Sequence, residues 1–156
     1  MQKITPCLWF DNQVEEAIVF YMSVFPNSEI LNISRYPKST PGLAGKVLTA
    51  TFRLSGHEFI ALNGGPMFKF TEAVSFSVDC KTQEEVDYYW NKLTEGGEES
   101  MCGWLKDKFG LSWQVVPTEL GSWIYHPDPE KAQRVMQALF KMRKIDIETL
   151  KQSANY

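Results

Sequence analysis

Two residue types are scarce in this 156-residue chain, and their scarcity narrows what it can do. There are 2 histidines, His57 and His126, and 3 cysteines, Cys7, Cys80 and Cys102. Common enzymatic zinc and iron sites take two or three imidazoles, so a histidine-rich metal centre is hard to build here. The cysteines are odd in number, far apart and without a C-x-x-C pair. Neither a disulfide framework nor a zinc knuckle is indicated, and a reducing, cytoplasmic setting is expected. A basic excess is also missing: 16 Lys+Arg stand against 19 Asp+Glu, for a net charge of -3. Nothing supplies the counterion-releasing face that nucleic-acid binding requires, so nucleic acids and acidic membranes are not expected partners. No apolar run approaches the roughly 20 residues that span a bilayer, and Met1-Gln2-Lys3-Ile4 does not read as a secretion signal.

What is present is the composition of a globular domain, 44% hydrophobic and 13% aromatic. A chain of about 150 residues buries roughly 70% of its unfolded surface, enough for its own core. Ile4 to Phe10 reads as an apolar strand. Asn12 and Glu15 form an N-x-x-E capping pair before Val14, Ala17, Ile18, Tyr21, Val24 and Phe25, whose spacing places them on one helical face that ends at Pro26. Glu29 to Tyr36 reads as a strand, and residues 37–42 as a breaker-rich loop. Lys46 to Leu54 and His57 to Asn63 are strands joined by the hairpin turn Ser55-Gly56.

After Gly64-Gly65-Pro66 the order restarts. Ala73 to Cys80 alternates as a strand, Thr82 and Glu85 form a capping box, and a helix runs through Val86, Tyr89, Trp90 and Leu93 to Gly96-Gly97. Ser100 to Lys106 and Leu111 to Val116 read as strands around a turn at Lys108-Phe109-Gly110. A last helix opens at Asp128 with Pro129 at its first position. Ala17, Tyr21 and Val24 superpose on Val86, Trp90 and Leu93, so the chain carries an internal repeat of strand, helix and three strands. The expected fold class is α+β: module one over about 1–66, module two over about 67–127, and a C-terminal helical extension over 128–156.

Several segments then resemble one family. They are Pro6-Cys7-Leu8-Trp9-Phe10-Asp11, Glu15-Glu16-Ala17, Phe20-Tyr21, Ser23-Val24-Phe25-Pro26-Asn27-Ser28, and Asn63-Gly64-Gly65-Pro66 with Phe68-Lys69-Phe70. Further along come Asp107-Lys108-Phe109-Gly110, Ser112-Trp113-Gln114 and Asp128-Pro129-Glu130-Lys131-Ala132. Together they resemble the PhnB-like family of the vicinal oxygen chelate superfamily, which includes glyoxalase I, extradiol dioxygenases and bleomycin- and fosfomycin-resistance proteins. The resemblance implies two βαβββ modules whose sheets curl around a cup, usually within a homodimer.

Relatives are often labelled 3-demethylubiquinone-9 3-methyltransferase-like. A nucleotide-type cofactor wants a glycine-rich turn between a strand and a helix N-terminus, whereas Asn63-Gly64-Gly65-Pro66 leads toward another strand. No cofactor is expected. In metal-dependent members a divalent ion sits in the cup as a Lewis acid. The ligand positions implied by the resemblance fall on Thr5, near Ala61 or Leu62, on or beside Ala73, and on Gln114. Only Gln114 offers a plausible donor, and one neutral amide does not hold a divalent ion. No metal is expected either.

Strand alternation predicts what fills the cup instead. Thr5, Cys7 and Trp9 share a face in the first strand, His57, Phe59, Ala61 and Asn63 in the fourth, Ser75 and Ser77 in the fifth, and Ser112 and Gln114 in the eighth. The opposite faces, with Ile4, Leu8, Phe10, Val74, Phe76, Val78, Trp113 and Val115, are apolar and should lie under the helices. The expected ligand-binding set is Thr5, Cys7, Trp9, Phe59, Asn63, Ser75, Ser77 and Gln114, suited to a neutral, partly aromatic small molecule. Cys7 is read as a packing residue, since no base adjoins it in sequence. His57 is read as an exposed turn residue, His126 as support for the start of the last helix, and Trp104, Trp113 and Trp123 as packing. The preferred function is small-molecule binding of the resistance or sequestration type. Alternatives are an enzyme acting on a small organic substrate, and a structural or regulatory homodimer whose cup is filled by its own side chains.

Overall fold

A computed structural model describes residues 2–155. The chain divides into two compact units, one ending at Phe70 and the other beginning at Thr71. In the first unit β1 (Cys7–Phe10), α1 (Val14–Val24), β2 (Glu29–Arg35), β3 (Val47–Leu54) and β4 (His57–Asn63) form a βαβββ module. Its sheet has the order β1-β4-β3-β2, with β1 parallel to β4 and the other pairs antiparallel. The β3–β4 hairpin turns on Ser55 and Gly56, both at positive φ (47° and 85°), the mirror-image turn that two-residue hairpins favour. Val14, Ala17, Ile18, Tyr21 and Val24 of α1 are buried, as are Leu8, Phe10, Ala50, Phe52 and Leu54 of the sheet.

Asn12 does not cap α1. It sits at φ 58°, and Gln13 at the cap position makes no side-chain cap bond. The missing acceptor comes from across the sheet, because Asn63 Oδ1 accepts from the Val14 N–H at 3.1 Å. Asn63 Nδ2 donates to the Val47 carbonyl at 3.0 Å, so this buried amide joins α1, β3 and β4.

The second unit repeats the pattern with β5 (Ser75–Cys80), α2 (Gln83–Thr94), β6 (Glu98–Glu99), β7 (Trp104–Lys106) and β8 (Ser112–Pro117). Its sheet order is β5-β8-β7-β6, and β5 runs parallel to β8. Here the expected cap holds: Thr82 Oγ1 accepts from the Glu85 N–H at 3.2 Å, and the Glu85 carboxylate accepts from Lys81 N–H. Val86, Trp90 and Leu93 are buried like their repeat partners Ala17, Tyr21 and Val24. The strand expected over Ser100 to Lys106 is shorter. A turn with Cys102 at φ 59° and Gly103 at φ 83° breaks it, and the two-residue β6 precedes that turn. Ile4 and Val74, expected beneath the helices, lie before the first residues of β1 and β5 and are exposed.

Three helices follow: α3 (Leu120–Ile124), α4 (Pro129–Leu139) and α5 (Ile147–Ser153). As expected, Asp128 caps α4, its carboxylate accepting from Glu130 N–H, and His126 Nδ1 accepts from Asp128 N–H. Trp123, Val135, Leu139, Ile145, Leu150 and Ala154 form a core of their own, against which Cys102 and Val116 pack. No described helix is long and apolar enough to cross a membrane.

Candidate functional site

Each sheet has one face covered by its helix and one face turned away from it, here called the distal face. Register decides which side chains share it, since laterally paired residues point the same way. On the first sheet Cys7 pairs with Ile60 and Trp9 with Leu62, while Leu8 pairs with Ala61 and Phe10 with Asn63. Cys7, Trp9, Ile60, Leu62, Thr49 and Thr51 therefore lie on the distal face. Phe59, Ala61 and Asn63 lie on the helix face, where Phe59 stacks on Phe52 with ring centroids 5.6 Å apart. The expected grouping of Phe59 and Asn63 with Cys7 and Trp9 is thus corrected. The cause is in β4 itself, whose two faces, Phe59/Ala61 and Ile60/Leu62, are both apolar, so alternation gives no phase.

The other expected residues of this sheet sort as follows. Thr5 precedes the first residue of β1. Cys7 is exposed rather than packed, and partial desolvation raises its thiol pKa, which disfavours the nucleophilic thiolate. Trp9 is held by its own module: its indole N–H donates to the Gly65 carbonyl at 2.8 Å, and Phe68 meets the ring edge-on at 4.9 Å. A Cβ on Gly64 would fall 2.3 Å from the Trp9 ring, so the ring fits only over glycine. Farther along, Arg53 bridges the carboxylates of Glu29 and Glu58.

The second sheet follows the expected phase. Ser75 pairs with Ser112 and Ser77 with Gln114, placing all four on the distal face, while Phe76, Val78, Trp113 and Val115 take the other. Gln114 Nε2 donates to Ser75 Oγ at 3.0 Å. Trp104 pairs with Gln114 and Lys106 with Ser112, so both join the same face. Trp104, expected to pack, is only partly buried and lies beside Gln114. The signal was available in its alternation with Leu105, which is 1% exposed. Trp113 and Trp123 are buried, as expected. The Lys106 ammonium pairs with the Glu72 carboxylate, and this bond holds Glu72 below and Lys106 above their usual pKa values. Ser112 Oγ is buried without a hydrogen-bond partner among the described residues, which is uncommon for a hydroxyl.

Asp107, at the end of β7, is 3% exposed. It accepts from the Phe109 N–H, the Leu111 N–H and the Trp113 indole N–H at 2.8, 3.1 and 2.9 Å. The Asp107-Lys108-Phe109-Gly110 motif is therefore a turn clamp, completed by Gly110 at φ 85°.

The family model described as 3-demethylubiquinone-9 3-methyltransferase matches residues 2–116. The chain belongs to this PhnB-like family, within the vicinal oxygen chelate superfamily. Among solved structures, the PhnB protein from Bacillus cereus is 43% identical, with TM-score 0.69 over 75% of this chain and 100% of that one. A Pseudomonas aeruginosa protein is 21% identical, with TM-score 0.59 over 75% and 98% of the two chains. The fosfomycin resistance protein FosX from Listeria monocytogenes, in complex with Mn(II) and sulfate, is 16% identical, with TM-score 0.55 over 81% and 100%. These last two share the fold. No curated protein matches the sequence. Together with the two mixed four-stranded sheets, this establishes the α+β glyoxalase/bleomycin-resistance-like fold.

Neither the methyl-donor cofactor nor the divalent ion attached to these names fits the residues present. The three strand-to-helix connections, residues 11–13, 81–82 and 118–119, contain no glycine to bring backbone close to a nucleotide. Among the described residues no three His, Cys, Asp or Glu side chains come together as a metal-binding group. The neutral set Ser75, Ser77, Gln114 suits hydrogen bonding to an uncharged ligand better than divalent-ion coordination.

Proposed function

We propose that this PhnB-like protein binds a neutral, partly aromatic small molecule on the distal face of its second sheet. The ligand's ring stacks on Trp104, and its polar edge meets Gln114, Ser75 and Ser77. The observation that carries this reading is the Trp104–Gln114 lateral pair, an aromatic plane beside an amide on the face turned away from α2. The Gln114 amide is already oriented by Ser75, which leaves Oε1 to accept from the ligand. Cys7 and Trp9 offer a separate, more apolar surface on the first sheet's own distal face, and two copies of the chain form the working unit. Thr5, Phe59 and Asn63 are left out of the lining.

The test is a thermal-shift screen of uncharged aromatic compounds followed by titration calorimetry on the hits. Gln114→Ala should weaken a hit by about ten-fold, the loss of one ligand hydrogen bond, and Trp104→Ala by at least as much, with melting temperatures close to wild type. Undiminished binding to both variants would sink the proposal.

A further inference from the structure

Trp104 follows directly on a turn that its own module does not hold alone. Cys102 at φ 59° and Gly103 at φ 83° are both left-handed, a conformation that cysteine adopts only when its surroundings impose it. The N–H groups of these two residues donate to the carbonyls of Met142 and Arg143, each at 2.8 Å. Those carbonyls belong to the segment between α4 and α5, well beyond residue 116, the last that the family model matches. The fit leaves no slack: a Cβ on Gly103 would lie 2.8 Å from the Val115 carbonyl oxygen and 2.9 Å from Ile145 Cδ1.

The same segment is gripped from its other side by α2. Gln83 Nε2 donates to the Ile145 carbonyl at 3.0 Å, Gln83 Oε1 accepts from the Ile147 N–H at 2.8 Å, and Lys144 pairs with Asp87 at 2.8 Å. Ile145 itself is 0% exposed. Residues 142–147 thus form a strap, pinned to α2 and pressed on the turn that leads into β7. Trp104 N–H donates to the Met101 carbonyl, and its carbonyl accepts from Ser100, so the indole starts from a backbone whose angles the strap sets.

We infer that the strap at 142–147 is the positioning element for Trp104, through which the C-terminal helices determine the shape of the ligand-binding face. This rests on the reading that Trp104 and Gln114 contact the ligand, and it makes Gln83 a positioning residue that touches no ligand itself. Ligand preference would then be tuned from the C-terminal helices without changing a residue of the face.

The experiment needs no ligand. Full-length protein labelled with 5-fluorotryptophan gives one fluorine resonance per tryptophan, with Trp104 assigned through Trp104→Phe. In Gln83→Ala, and independently in Ile145→Ala, amide exchange at 142–147 and 101–105 should rise by about ten-fold or more through local opening, with β3 and β4 unchanged. The Trp104 resonance should shift or broaden, and Gln83→Glu, which keeps the acceptor for Ile147, should restore part of the wild-type spectrum. A loosened strap with an unmoved Trp104 resonance overturns the inference, as does a strap that neither variant loosens. If Trp104 responds but Gln114→Ala and Trp104→Ala bind every hit normally, the ligand reading fails while the strap's control of Trp104 stands.

Discussion

Asn63, Gly64 and Asp107 lie in motifs that mark the family, and all three act on the fold. Asn63 feeds one amide to two backbone groups, Gly64 makes room for the Trp9 ring, and Asp107 gathers three donors in one turn. Removing a buried partner leaves its mate unsatisfied, so Asn63→Ala should cost about 2–3 kcal/mol, read from the urea midpoint. The thiols differ in the same concrete way. Cys7 is exposed, whereas burial first, then the Glu85 and Asp79 carboxylates, push Cys80 up to about 12. At neutral pH a maleimide should label Cys7 in the native protein and reach Cys80 only on unfolding. Above pH 9 the unfolded chain releases the Cys80 proton while the folded one retains it, so this contribution to stability declines between about pH 9 and 12. Cys80→Ala should flatten that alkaline loss in denaturation curves taken across the range.

At the scale of elements, the two modules solve one problem with different means. α2 starts on its own Thr82, whereas α1 borrows an acceptor from β4. Thr82→Ala should therefore destabilise by about 1 kcal/mol in urea melts, the usual value of an N-cap. Asn12→Gly should be neutral or slightly stabilising, because glycine adopts φ 58° without strain and no cap bond is lost. A destabilisation as large as that of Thr82→Ala would mean that Asn12 caps after all. The expected N-x-x-E pattern at Asn12 had the right sequence and the wrong geometry, since a left-handed residue cannot aim its side chain down the helix.

For the whole molecule, the repeat of βαβββ was legible because buried positions recur along α1 and α2 with the same helical spacing. The turn at Ser55-Gly56 and the caps at Thr82 and Asp128 were legible for a similar reason, each being a local preference of the residues involved. Two expectations belong to this scale. Ile4, Val19 and Val74 are each more than 60% exposed, apolar surface that a second copy would cover. Sedimentation equilibrium should give twice the 17.9 kDa chain mass, and Val19→Lys or Val74→Lys should lower that value if the residue lies in the interface. A monomer at micromolar concentration would remove the homodimer from the proposal.

The sequence by itself determined the class of fold, the βαβββ order within each module and the phase of the second sheet. These follow from composition and from alternation that is polar on one side, as in Ser75, Ser77 and Gln114. Only the tertiary structure decided the phase of β4, because both its faces are apolar and the parallel pairing with β1 had to choose between them. It also decided the place of Trp104, which depends on carbonyls of Met142 and Arg143 nearly forty residues away. Local preference reaches a turn or a helix end. Which long-range hydrogen bond closes on that turn is settled by packing, and the shape of the candidate site depends on it.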